Sequence, residues 1–514
     1  MLWHWRKFPT FGIFLFAFLA AQFAIGQKTH DEAHDHVAPA KLGEVSFPTS
    51  CNPAVQPDFN RSVALLHSFA YQAAHDAFRG VVQKDPACAM AHWGVAMTDF
   101  HQLWQPPIPP ESSPALAAAQ REIAEAQRLG AQATDRERGF IHAAAVILEG
   151  DATARYGSRL SSYEHEMGAV AAANPKDAEA QVFYALALLA NASPADKTHA
   201  KQKKAAAILE PLYRTHPRHP GMAHYLIHAY DNAELAQRGV PMARAYAKIA
   251  PAAPHALHMP SHIFTRLGMW EDSIASNTSS RDAARRAGDI GEELHAMDYL
   301  VYAYLQAARD AEAAQVIQQL KTMRDLNTAD FKVGYSATAM PIRYMVERQD
   351  WTAAAGVVPP GVAPPHVIAI AVWAKGLGLA RSGKPAEARK QSEELQRLED
   401  KLQSSRDAYW ATQVRVMKHE VLAWSAEAEN QREQAVTLMR HAADEEDSVE
   451  KLPVTPGPIV PAREQLGSLL LQHGKWADAA AEFQSANANA PGRRGAVEGA
   501  AEAAKRMKAE SSGG

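Results

Sequence analysis

His224 and His228 stand four residues apart, and the same pair recurs at His258 and His262, 34 residues later. Residues i and i+4 share one face of an α-helix. A period of 34 residues is the length of one helix–turn–helix unit in a stacked array. Two neighbouring helices are therefore expected to carry the same His-x-x-x-His face. Such a period points away from one central core and toward units that each pack on the next.

The length of the chain fits that reading. At 514 residues it exceeds what one ordinary hydrophobic core serves. No alternating apolar pattern runs for more than a few residues, and Gly and Pro fall as spaced punctuation. The expected fold class is all-α. The formal net charge is −4, so the basic footprint of a nucleic-acid binder is missing and no nucleic-acid partner is expected.

The first 26 residues have the layout of a secretory signal peptide. Arg6 and Lys7 supply the charged start, an apolar run spans 11–25, and Ala24 and Gly26 put small residues at a cut before Gln27. The mature protein is expected in the periplasm or outside the cell. Contact with a membrane is expected only if this segment stays uncleaved. Residues 27–57 read as a flexible leader containing His30, His34 and His36. The two cysteines, Cys51 and Cys88, bracket the first helical hairpin. In an oxidising compartment such a pair can join as a disulfide, with two separate thiols as the alternative.

Repeat signals run over residues 58–508. The clearest copy holds Leu466-Gly467, Gly474-Lys475-Trp476, Ala479, Phe483, Ala486 and Pro491. Weaker copies hold Phe69, Tyr71, Ala74, Phe78 and Pro86, then Gly268, Trp270 and Ile274, then Gly383 to Ala388. Small residues let paired helices approach, and the closing Pro ends the second helix. In these residues the chain resembles the tetratricopeptide repeat family, in an exported bacterial-type form. The resemblance implies a right-handed solenoid of helical hairpins with a concave groove that binds a protein, a peptide or a small ligand. Residues 509–514 read as a disordered tail. Met259-Pro260 and Met340-Pro341 stand at equal distances before Trp270 and Trp351, so the first helix of each unit is expected to start or kink at its Pro.

Counted from the family's repeat start, His224 and His258 fall at position 5, and His228 and His262 at position 9. His255 and His295 fall at position 2, and Asp298 and Tyr302 at positions 5 and 9 of the third unit. The resemblance implies that these positions line the groove. His67 and His101, also 34 apart, and Trp104 are further groove candidates. Imidazole is a common ligand of Zn, Cu and Fe, and two His at i, i+4 can chelate one ion. The alternative to a binding scaffold is therefore a metal-binding protein or metalloenzyme. It would use His224, His228, His258 and His262 on one ion, with His255, His295 and Asp298 in reserve. The Glu of a His-Glu-x-x-His protease is absent, because Tyr225 and Met259 stand in its place. No motif argues for a particular reaction.

Overall fold

A computed structural model describes residues 41–103, 113–149 and 156–513. The expected signal peptide, residues 27–40 of the leader, and Trp104 lie outside the described residues. Among the described residues the fold is all-α, with no strand. Helices pair with their neighbours in sequence as antiparallel hairpins, giving a tetratricopeptide-like array.

The hairpin turns explain the spaced glycines only in part. Gly268, Gly383 and Gly474 have φ of 67°, 76° and 75°, but Ala308, Gln349 and Asn430 hold the same left-handed turn at 57°, 56° and 63°. The turn is thus imposed by hairpin packing and does not require glycine, and of these three glycines only Gly268 also lacks room for a side chain. At Gly268 a Cβ would lie 2.3 Å from the Pro491 carbonyl oxygen. Helix starts are fixed by acid caps: Asp177, Asp289, Asp330 and Asp407 each accept a backbone N–H three residues on.

The two Met-Pro sites behave differently. At Pro260 the helix breaks, giving Pro254–His258 and Pro260–Arg266 with Met259 between them. At Pro341 the Phe331–Glu347 helix runs on.

The face that carries the paired histidines is not an open groove. In the Pro220–Tyr230 helix every residue except His228 is buried. The chain covers this face with two of its own segments. One is the turn after the Gln56–His67 helix, where Phe69 packs edge-on against His224, ring centroids 4.5 Å apart. The other is the Pro-rich segment 449–461. Lys451 bonds Asp231 at 2.9 Å, Tyr299 Oη donates to the Thr455 carbonyl at 3.1 Å, and Arg343 donates to the Pro458 carbonyl at 3.2 Å.

Three expectations about the ends are revised or resolved. Residues 41–57 are not a flexible leader. Phe47 is fully buried between Phe59 and Phe140, and Glu44 N–H donates to the Arg218 carbonyl at 2.9 Å. Residues 509–513 continue the Arg494–Gly513 helix rather than forming a disordered tail. Cys51 and Cys88 are joined by a disulfide.

Candidate metal centre

The first helices of three successive hairpins place six histidines in one buried region. His224 and His228 lie on Pro220–Tyr230, His255 and His258 on Pro254–His258, His262 on Pro260–Arg266, and His295 on Ile290–Gln306. The rings of His224, His228, His262, His258 and His255 form a closed circuit. Successive centroids are 4.8, 5.8, 4.9, 6.0 and 5.1 Å apart. His295 joins it beside His258 at 4.3 Å.

The ring nitrogens gather as two triads, not as one group of four. His258, His262 and His295 each bring one nitrogen within 4.8 Å of the other two, and so do His224, His228 and His255. The expected convergence of His224, His228, His258 and His262 on one point is corrected in this way. The i, i+4 spacing identifies the paired rings but not how they divide, because each pair is completed by a His from the next hairpin, His295 or His255.

The His258 triad has defined tautomers. His262 Nδ1 donates to the Asp231 carboxylate at 2.9 Å. His258 Nδ1 donates to Asn277 Oδ1 at 2.6 Å, and the Asn277 amide is oriented by its Nδ2 donating to the Ser273 carbonyl at 2.8 Å. With both Nδ1 atoms protonated, each neutral ring is left with an unprotonated Nε2. Those two Nε2 atoms are 3.0 Å apart. Two acceptors at that distance repel unless a cation lies between them.

Burial opposes a proton as that cation. It pulls His258 and His295 well below the usual imidazole range and lowers His262, with the neighbouring imidazoles adding to the effect at His258. Asp231 is buried too, which by itself raises its carboxyl. Lys451 and Arg266 outweigh that and hold it well below the carboxylate range. Glu292 is likewise held low against burial, by Lys332 and His255. Both acids are therefore anionic acceptors that fix ring orientation, the usual outer partners of ligating imidazoles.

In the other triad, His224 Nδ1 donates to the His67 carbonyl at 2.7 Å, and His224 Nε2 lies 3.1 Å from His228 Nε2. His255 Nδ1 lies 3.3 Å from Glu292 Oε2. His228 is the least buried of the six and borders an opening lined also by Gln102, His199, Asp231, Asn232 and Lys451.

Among the described residues, the remaining groove candidates lie outside both triads. His67 is fully buried, donating from Nε2 to Glu179 at 2.9 Å and accepting from Tyr225 Oη at 2.9 Å. His101 stacks on Tyr71 with centroids 4.0 Å apart, and its Nε2 donates to the Thr98 carbonyl at 3.0 Å. Asp298 does not join the triads. It faces Arg343 at 3.6 Å, and burial raises its carboxyl to about 6 against that pairing. Tyr302 accepts from Arg493 at 3.2 Å. The sequence reading missed Asp231, Asn277 and Glu292. Asp231 follows the Pro220–Tyr230 helix directly, and its place three residues after His228 was the available signal.

No family model matches the chain, and no curated protein sequence matches it. Among solved structures, the P58(IPK) TPR domain is 11% identical with a TM-score of 0.23, covering 89% of this chain and 99% of that one. Yeast Tom70 is 9% identical with a TM-score of 0.33, covering 88% of each chain. A Rap protein complexed with Competence and Sporulation Factor is 10% identical with a TM-score of 0.39, covering 88% of this chain and all of that one.

Proposed function

We propose that this protein binds a transition-metal ion, Zn or Cu, at His258, His262 and His295. The carrying observation is the 3.0 Å approach of two Nε2 atoms whose rings both spend their Nδ1 proton on an acceptor. Two imidazoles on one ion at about 2.0–2.1 Å hold their nitrogens about 2.8–3.4 Å apart, for angles from square to tetrahedral. The observed spacing lies in that range. A nitrogen-only set disfavours Mg and Ca, which take oxygen ligands. The rings themselves would bind the ion, and Asp231 and Asn277 would hold two of them in the ligating tautomer.

Reading the site as a groove for a peptide or protein fits less well. His224, His258, His262 and His295 are each at most 2% exposed, so a macromolecular partner would need another surface. Elemental analysis of the purified full chain should find a transition metal. His258→Ala and His262→Ala should each lower that content by at least half while far-UV circular dichroism keeps the helical signal, since Ala favours helix. A wild-type chain that takes up neither Zn nor Cu when supplied in excess would sink this reading.

A further inference from the structure

The second triad repeats the first in construction. His258 and His262 are positions 5 and 9 of their hairpin, and His295 is position 2 of the next. His224 and His228 are positions 5 and 9 one hairpin earlier, completed by His255 at position 2 of the following one. One repeat geometry has therefore produced the same three-imidazole constellation twice. It stops at the third hairpin, where Asp298 and Tyr302 take positions 5 and 9 and turn to Arg343 and Arg493.

We infer that His224, His228 and His255 hold a second ion beside the first, making a two-ion centre, and that the ion both triads suit best is copper as Cu(I). This rests on the metal reading of the His258 triad. The second triad has its own anchors: the His67 carbonyl on His224 Nδ1 and Glu292 on His255 Nδ1. It also shares walls with the first, since the His228 and His262 centroids are 5.8 Å apart and those of His255 and His258 are 6.0 Å apart. An ion arriving through the opening beside His228 meets the second triad first.

Charge selects the ion. All six ligand side chains are imidazoles, and an imidazole ligand brings no negative charge to an ion. The nearby carboxylates are already matched, Asp231 by Lys451 and Arg266, and Glu292 by Lys332. Two divalent ions would place four unmatched positive charges in a buried site, and two Cu(I) ions would place two. Buried charge without a counter-charge is costly, so the monovalent ion is favoured, and imidazole is an accepted copper ligand.

The test is an anaerobic Cu(I) titration of the full chain against a chromophoric chelator. Two coppers per chain are expected in the wild type. His228→Ala should leave one, and so should His224→Ala, with thermal unfolding run in parallel to show that both variants are folded. His228 is the less buried of the two and is the primary variant. A wild type that binds one copper, lost in His258→Ala and kept in His228→Ala, overturns the second site and leaves the first standing. No copper with one bound Zn overturns this inference alone. No metal of either kind overturns both.

Discussion

His366 lies flat on Trp410, with centroids 4.4 Å apart and planes 11° from parallel. Burial pulls its pKa down to about 3, and burial likewise takes His101 down to about 4. Both rings stay neutral in the fold while the unfolded chain protonates them near pH 6.5. Below that pH the unfolded state takes up more protons, so stability falls as pH drops from about 6.5 toward 4 for His101 and 3 for His366. For His366 the slope is about 1.4 kcal/mol per pH unit. Urea unfolding at pH 7 and pH 5 should show the loss, and His366→Phe, which keeps a flat ring, should show less of it than the wild type. An unchanged difference in that variant would remove His366 from the account. At this scale the sequence shows which residues are chemically unusual but not their partners. The 34-residue phase singles out His224, His228, His258 and His262. Whether each meets an amide oxygen, a carbonyl or a carboxylate depends on Asn277, the His67 backbone and Asp231; the phase marks neither Asn277 nor Asp231, and it marks His67 only for its ring.

The helices are joined by bonds that the hairpin pattern does not supply. Glu179, on the Ala178–Ala190 helix, accepts from His67 at the end of Gln56–His67 and from His219 at the cap of Pro220–Tyr230, at 2.9 and 2.8 Å. Burial alone would raise this carboxyl, but His219 and His67 outweigh it and hold Glu179 ionised. Glu179→Ala would strand two buried ring N–H donors, at about 1–3 kcal/mol each. The expected cost is about 3 kcal/mol or more in urea unfolding, and a loss under 1 kcal/mol would show that the three helices hold without it. The metal count should be read in the same variant, because His67 also carries the carbonyl that orients His224. The paired helices and their turns were readable from Gly268, Gly474 and the Ala-Phe-Ala pattern. The cover over the histidines was not. The Phe69 turn and the 449–461 segment reach it across 155 and 220 residues, and a Pro-rich stretch carries no periodic signal of what it will pack against.

Across the whole molecule, contacts between distant units depart from a simple array, in which each repeat meets only its neighbours. Trp270 donates to the Gly492 carbonyl at 3.1 Å, 222 residues away. Arg493, fully buried, donates to Glu464 at 2.9 Å, to Glu347 at 2.8 Å and to Tyr302 at 3.2 Å, joining the start of the last helix to three earlier ones. Burial lowers a guanidinium pKa, but here the two carboxylates outweigh it and raise it well above its usual value. Removing Arg493 strands the buried Glu464 and takes one of two donors from Glu347, and breaking such a group costs about 3–5 kcal/mol. Two outcomes separate the architectures. In a nearest-neighbour array Arg493→Ala would loosen only the last hairpin and helix. In a molecule tied by these long contacts, the Ile290–Gln306 and Phe331–Glu347 helices lose protection as well. Hydrogen exchange reads the difference segment by segment. The expected result is faster exchange in both of those helices and in Ala462–Gln472, with one shifted cooperative thermal transition. Faster exchange confined to residues beyond 462 would assign Arg493 a local role and leave the His-bearing helices independent of the chain's end.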